Sequence, residues 1–374
     1  MNDLPLELIQ SLNHKKENHA FRSLKTFEGV DFFSNDYLGF AREAVIHEKA
    51  LEHFQSFSNN LNGSTGSRLL SGNHLAYEQL EQTLCETFEV EAALVYNSGF
   101  SANIGWISAI LQKNDLVLYD ALCHASIRDG LKMSPAKSYK FRHNDLSDLR
   151  NKYEQLKGCK NIYLITESVF SVDGDLAPLD ELKAFCDANE IRMIVDCAHS
   201  SGIYSHDYKQ YFLSIVTFGK SYGVHGASLL CRQKTKDYLI NHSRSLIYTT
   251  ALDPFSVLKI KAAIELSRSE KAAILRSKLL NGISYFLKTA EELNLMPNLL
   301  KSTSAIQGIK CKDNAQAIDL QNHLQQHKFA LAAIRYPTVA KGEERIRVVL
   351  HAINTEDEIK RLLETIHSYF QSQA

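Results

Sequence analysis

The runs Ile191-Arg192-Met193-Ile194-Val195-Asp196-Cys197-Ala198-His199 and Phe212-Leu213-Ser214-Ile215-Val216-Thr217-Phe218-Gly219-Lys220 decide how the rest of the chain is read. Each holds a short apolar stretch of strand length, followed by an ionisable side chain. Outward from them the pattern repeats. Ala92 to Tyr96, Asp115 to Tyr119, Asn161 to Thr166, Arg192 to Asp196, Ser214 to Thr217 and Ala227 to Cys231 read as strands, with helical patterns such as Leu80 to Phe88 and Asp180 to Asn189 between them. This alternation predicts an α/β fold, a mostly parallel sheet wrapped by helices. Ligands of such sheets bind outside the carboxyl ends of the strands, where Asp196 and Lys220 both fall.

A carboxylate and a lysine delivered by two strand ends, with an imidazole three residues past the carboxylate, suit pyridoxal 5'-phosphate. The lysine amine holds the aldehyde as a Schiff base, and the carboxylate keeps the ring nitrogen protonated so that the ring accepts electrons from a substrate carbanion. His199 is then available for the ring hydroxyl. Taken singly, a lysine after a strand is ordinarily a solvated loop residue, and Asp-x-x-His is ordinarily a cap beside a surface histidine. Gly219, Gly223 and Gly226 favour the chemical reading, because they clear side chains from around Lys220 and let backbone approach a ligand. A phosphate-binding loop at Gly219-Lys220-Ser221 is excluded, since that motif needs a glycine where position 214 is serine.

The 374 residues carry a net charge of -1, which favours neither nucleic acid nor an anionic membrane surface. Seven cysteines at irregular spacings, with no Cys-x-x-Cys pair, suit free thiols in a reducing cytosol and argue against a zinc site. The first twenty residues have charges on both sides of a short amphipathic stretch and lack the apolar core of a signal peptide. No run approaches the roughly 18 apolar residues of a membrane span. The expectation is a cytoplasmic protein with no metal.

Residues 1–44 read as an arm with a helix around Leu4 to Asn13, residues 45–245 as a large cofactor-binding domain, and residues 246–374 as a linker helix and a small C-terminal α+β domain. The linker is expected to be helical from Pro254 to about Leu295. Arg345 to His351 alternates as a strand, with Arg345 and Arg347 on one face, and Thr355-x-x-Glu358 reads as a capping box for a helix burying Ile359, Leu362, Leu363, Ile366 and Phe370.

Further candidates follow the strands. Asn97-Ser98-Gly99-Phe100-Ser101 is a strand-to-helix turn whose backbone N–H groups suit a phosphate, though most such turns are only caps. His124 can stack on a pyridine ring or shuttle protons, against the alternative of a capping histidine. The acids of Glu167 to Asp175 could suggest a hard-cation site, but Asp173-Gly174-Asp175 is turn chemistry and lacks calcium-loop spacing. Gly63 to Gly72 has the small residues of a flexible linker, yet Arg68, Leu69 and Leu70 in its middle suggest a loop that packs, with a partner subunit as one surface it could pack on. Arg347 is a candidate fork for a substrate carboxylate, with Arg345 and Arg335 as competitors that spacing alone does not exclude.

Together, Ser34-Asn35-Asp36-Tyr37-Leu38-Gly39, Thr65 to Gly72, Thr217-Phe218-Gly219-Lys220-Ser221-Tyr222-Gly223, Ser245-Leu246-Ile247-Tyr248-Thr249-Thr250 and Arg345-Ile346-Arg347 resemble the α-oxoamine synthases. These are fold-type I pyridoxal-phosphate enzymes that condense an amino acid with an acyl thioester and release carbon dioxide. The resemblance covers nearly the whole chain. It implies Lys220 as the Schiff-base lysine, Asp196 on the ring nitrogen, His199 on the ring hydroxyl with Ser171 near it, and His124 stacked on the ring. Gly99 and Phe100 offer backbone to the phosphate and Thr217 a hydroxyl. Arg347 takes the amino-acid carboxylate, Asn35 and Thr338 lie near the substrate, and Arg22 matches an N-terminal substrate-binding arginine. Family members are homodimers, so Thr249 or Thr250 is expected to reach the neighbouring subunit's phosphate.

Within the family the segments point to the biotin-pathway member, which uses L-alanine and a pimeloyl thioester, carried on coenzyme A or a carrier protein. The alternatives are a sister synthase using glycine, serine or another acyl chain, and a catalytically silent partner subunit. The chain departs from the family in having Cys197 where an acid usually follows the first Asp, and in a shorter, glycine-poor link from Gly202 to Ser214.

Overall fold

The computed structural model describes residues 4–24, 26–55, 62–156, 158 and 160–373. Its strands, in chain order, are β1 (Val30–Asp31), β2 (Ala92–Tyr96), β3 (Asp115–Asp120), β4 (Lys137–Phe141), β5 (Asn161–Glu167), β6 (Arg192–Asp196), β7 (Leu213–Thr217), β8 (Ala227–Cys231), β9 (Ile306–Lys310), β10 (Phe329–Ala330), β11 (Ala332–Ile334) and β12 (Arg345–Val349). Seven of them form a sheet in the order β2-β8-β7-β6-β5-β3-β4. Neighbours from β7 to β4 are parallel, and β8 alone runs against both its neighbours. The mostly parallel, helix-wrapped α/β sheet expected from the alternation is the one observed.

The apolar runs become strands because helices cover the sheet, so that no alternating polar face is needed. Every residue of β2 and β8 is buried. Trp106 and Ile107 of the helix Gly99–Ile110 pack with Leu94, Ile165, Ile194 and Ile215 in one apolar cluster. β4 escaped the sequence reading because its Lys-Ser-Tyr-Lys-Phe run buries only Phe141. Lysine-bearing, half-solvated strands of this kind belong at sheet edges.

The chain divides into two compact units, one of Leu38–Ser171 with Leu176–Arg276 and one of Met1–Tyr37, Val172–Asp175 and Ser277–Ala374. The first holds the seven-stranded sheet. In the second, β11, β12 and β9 form an antiparallel sheet, and β1 pairs in parallel with β10. The capping box at Thr355 and Glu358 is present on the helix Glu356–Ser372. That helix buries Ile359, Leu362, Leu363 and Ile366 as read, but Tyr369 takes the buried place at its end and Phe370 is only half-buried.

Two helical expectations shift. The first helix runs Leu6–Glu17, with Pro5 as its N-cap. The stretch from Pro254 is two helices, Pro254–Ser267 and Glu270–Glu292. The break is local side-chain competition: Ser269 accepts the N–H of Ala272 at 3.3 Å and so caps the second helix.

β7 and β8 are joined by the loop 218–226, closed by Phe218 N–H to Gly226 O and Val224 N–H to Phe218 O, both at 2.9 Å. Gly223, at φ +64°, is required there: a Cβ would stand 2.1 Å from Ala41 N. Gly223→Ala is expected to lower stability by about 1–3 kcal/mol, seen as a lower urea midpoint; an unchanged midpoint would mean that the loop can yield.

Candidate active site

The strand ends converge on a cavity of about 260 Å³. Gly99, Phe100, His124, Asp196, His199, Thr217 and Lys220, expected from the sequence, all line it. Asn103, Ser126, Glu167 and His225 join them without having been anticipated. Ser171, half-buried in the turn after β5, is not among the lining residues.

Asp196 ends β6 at 5% exposure. One of its oxygens accepts from Asn103 Nδ2 at 2.9 Å and the other from the Ala198 N–H at 3.0 Å. Lys220 Nζ lies 2.8 Å from His199 Nε2. Lysine, imidazole and carboxylate are thus brought to one cavity, from the end of β6 and the loop after β7.

His124 caps a helix and also faces the cavity. It is the N-cap of the helix Ala125–Met133, its Nδ1 accepting the Ser126 N–H at 3.3 Å, and it also lines the cavity. Ser126 Oγ lies 2.8 Å from the same nitrogen and accepts from Asn103 Nδ2 at 3.0 Å. With Nδ1 committed as acceptor, the neutral ring carries its proton on Nε2. Burial pushes the His124 imidazole below its usual range; Asp196 opposes this and the Lys220 charge adds to it.

Ser98 caps the helix Gly99–Ile110 in a capping box with Ser101, leaving Gly99 and Phe100 as its first two N–H groups. Thr217 Oγ1 is buried without a hydrogen-bond partner in the protein. A Cβ on Gly99 would stand 2.7 Å from Thr217 Cγ2, so glycine is what lets the turn approach that strand end. A helix N-terminus beside an unsatisfied buried hydroxyl fits a phosphate.

The other expected residues lie in the second unit. Arg347 Nη2 donates to Asn35 Oδ1 at 3.0 Å, and Arg22 Nη2 to Thr338 Oγ1 at 2.6 Å. Of the competing arginines, Arg345 is ion-paired with Asp173 and donates to the Glu343 carbonyl. Arg335 donates to the His19 and Phe21 carbonyls. Arg22 and Arg335 both line a cavity of about 740 Å³ with Phe21, Phe27 and Phe33, and none of its described lining residues is acidic.

Elsewhere, Arg68 turns back onto its own unit, ion-paired with Glu81 and 4.1 Å over the Tyr77 ring, while Leu69 and Leu70 are exposed. Gly174, at φ +77°, bears out the turn between Asp173 and Asp175. The six described cysteines are free thiols; Cys159 lies outside the described residues. No described helix is long and apolar enough to cross a membrane.

The family model of class I and II aminotransferases matches residues 28–366. The chain is 37% identical over 359 residues to the 8-amino-7-oxononanoate synthase of Haemophilus ducreyi, covering 89% of this chain and 90% of that relative. The solved 8-amino-7-oxononanoate synthase of Francisella tularensis superposes with a TM-score of 0.76 at 27% identity, over 92% of this chain and 98% of that one. A serine palmitoyltransferase of Sphingomonas wittichii superposes with a TM-score of 0.90 over 99% and 98%, but at 23% identity that likeness speaks for the fold alone. The chain belongs to the class I and II aminotransferase family and, within it, is a pyridoxal-phosphate-dependent acyltransferase of the α-oxoamine synthase type.

Because the folded His124 titrates below the unfolded value near 6.5, the unfolded chain binds the extra proton between those two pH values. Acidification below about 6.5 therefore costs stability. His124→Asn retains a capping side chain and removes the titration. It should lessen the fall in urea midpoint between about pH 7.5 and pH 5.5; an undiminished fall would assign that loss to other groups.

Proposed function

We propose that this acyltransferase condenses L-alanine with a pimeloyl thioester, with loss of carbon dioxide, to give 8-amino-7-oxononanoate for biotin synthesis. The observation that carries the reading is Lys220 Nζ beside His199, in the cavity that Asp196 and the Gly99 helix end also line. The relative from Haemophilus ducreyi supports the choice of reaction.

When bound, pyridoxal phosphate supplies an electron sink for the carbanion formed at the amino acid's α-carbon. Lys220 Nζ would hold its aldehyde, and then take the α-proton as a general base. Asp196, anchored by two N–H donors, would keep the ring nitrogen protonated. His199, with Ser171, would bond the ring hydroxyl, and the neutral His124 ring would stack on the pyridine. Gly99, Phe100 and Thr217 would hold the phosphate.

Arg347, oriented by Asn35, would take the amino acid's carboxylate. The cavity of Arg22, with Thr338 beside it, pairs an aromatic wall with two guanidiniums and, among its described lining residues, no acid. Uncompensated positive charge of this kind favours an acyl chain that itself ends in a carboxylate, as a pimeloyl group does. The exposed Leu69, Leu70, Leu75 and Tyr248 support a homodimer in which Thr249 or Thr250 reaches the partner's phosphate. Cytoplasmic placement belongs to the same reading.

Thiol release from pimeloyl-coenzyme A, or from a pimeloyl carrier protein, should be fastest with L-alanine, with 8-amino-7-oxononanoate identified by mass. Preference for glycine or L-serine would make the chain a sister synthase. Lys220→Ala should abolish turnover, and substantial residual turnover would remove Lys220 from the reaction. Arg22→Ala should raise the KM for the pimeloyl donor about tenfold or more, as expected for losing a charge-assisted bond, with little change for L-alanine. Light scattering of the purified chain should give the mass of two subunits; a monomer at micromolar concentration would sink the dimer.

A further inference from the structure

Two carboxyl groups end adjacent parallel strands in register, Glu167 of β5 opposite Asp196 of β6. They are 2% and 5% exposed, and both line the cavity. Like charges buried side by side do not both ionise, so the surrounding donors decide which one keeps its proton. Asp196 receives an N–H donor on each oxygen. Glu167 receives the backbone N–H of His124, and its Oε1 is buried with no partner in the protein. A carboxylate oxygen buried without a donor is costly as part of an ion and tolerable as part of a neutral acid. Asp120 at the end of β3, Cys123 before the His124 turn and Lys220 after β7 are further titratable neighbours. Burial, then the Asp196 charge, push the Glu167 carboxyl well above its usual range; Lys220 and the His124 N–H oppose them without prevailing.

We infer that Glu167 is a proton-bearing positioning residue: it remains a neutral acid at neutral pH, holds the His124 turn through its backbone N–H, and leaves Asp196 as the one ionised member of the pair. The inference deepens the proposed function and rests on it only for the identity of the occupant. No proton is transferred to substrate by Glu167. Its part is to keep a second negative charge out of the site while anchoring the residue assigned to stack on the cofactor.

Glu167→Gln keeps the size and an acceptor oxygen and cannot ionise. In the full chain without cofactor, the infrared difference between wild type and variant at neutral pH should show the C=O stretch of a protonated carboxyl; ionised-carboxylate bands in its place would overturn the inference. If the variant fails to fold, a pH titration of the same band in the wild-type chain gives the answer. Stability provides a second arm. A carboxyl with its folded pKa above the unfolded value near 4.5 stabilises the fold below that value, and the contribution is lost as pH rises through the folded pKa. The variant's melting temperature should therefore gain on wild type between about pH 5 and pH 9; a constant difference would overturn the inference.

With pyridoxal phosphate bound, the variant should keep its visible absorption band and, relative to its own neutral-pH rate, lose less activity than wild type toward high pH. A fall of about a hundredfold or more at every pH would make Glu167 a proton-transferring base and sink the positioning role. The infrared and stability arms need no cofactor. A failure of pyridoxal phosphate to bind would therefore count against the proposed function and leave them standing.

Discussion

A carboxylate taken almost wholly out of water must be given donors, and the way Asp196 receives one of its two organises the large unit. Asn103 supplies it from the second turn of the helix Gly99–Ile110. Its amide cannot turn over, because Trp106 Nε1 donates to Asn103 Oδ1 at 3.1 Å and so reserves the NH₂ group for Asp196 and Ser126. Ser126 in turn meets His124 Nδ1. One chain of bonds therefore runs from a fully buried indole through an amide to the carboxylate and the imidazole. Packing of the indole in the apolar cluster thus orients the amide and, through Ser126, the imidazole of the cavity wall.

Lys220 is delivered by a different device. β8 lies antiparallel to β7, so the chain returns after β7 in a short loop at the carboxyl edge of the sheet instead of crossing over through a helix. That loop brings Lys220 to the wall that Asp196 and the Gly99 helix end occupy. The same economy of space appears at Gly99, where the helix start comes too near Thr217 for any side chain. Glycine is used in both places for room, at Gly223 under a positive φ and at Gly99 under an ordinary one.

Much of this was legible in the sequence, for physical reasons. Strands of a sheet covered on both faces are nearly continuous apolar runs, and the residues that follow them are where a parallel sheet puts its chemistry. Asp196, His199, Lys220, His124 and the Gly99 turn stood out on that ground. Asn103 did not, because a lone polar residue within Ala102-Asn103-Ile104-Gly105-Trp106 looks like any helix residue until its burial is known. Glu167 was read as part of a turn, since its burial depends on the register of β5 against β6, which one strand alone does not reveal. Arg345 and Arg347 share a face by alternation; only the position of Asp173 separates the ion-paired arginine from the one bonded to Asn35.

Cys197, next in sequence to Asp196, bears on the same balance of charge. Its thiol is at 0% exposure. Burial raises it to about 12, with Ser168 and Ser200 as lesser opposing influences, so it is uncharged at neutral pH. An ionised carboxylate in that fully buried place would sit next in sequence to Asp196, whose charge already disfavours the thiolate. A thiol fills the space as a small apolar group. Cys197 therefore brings no charge to the position next to Asp196, whose hydrogen bonds to Asn103 and Ala198 stand unchanged.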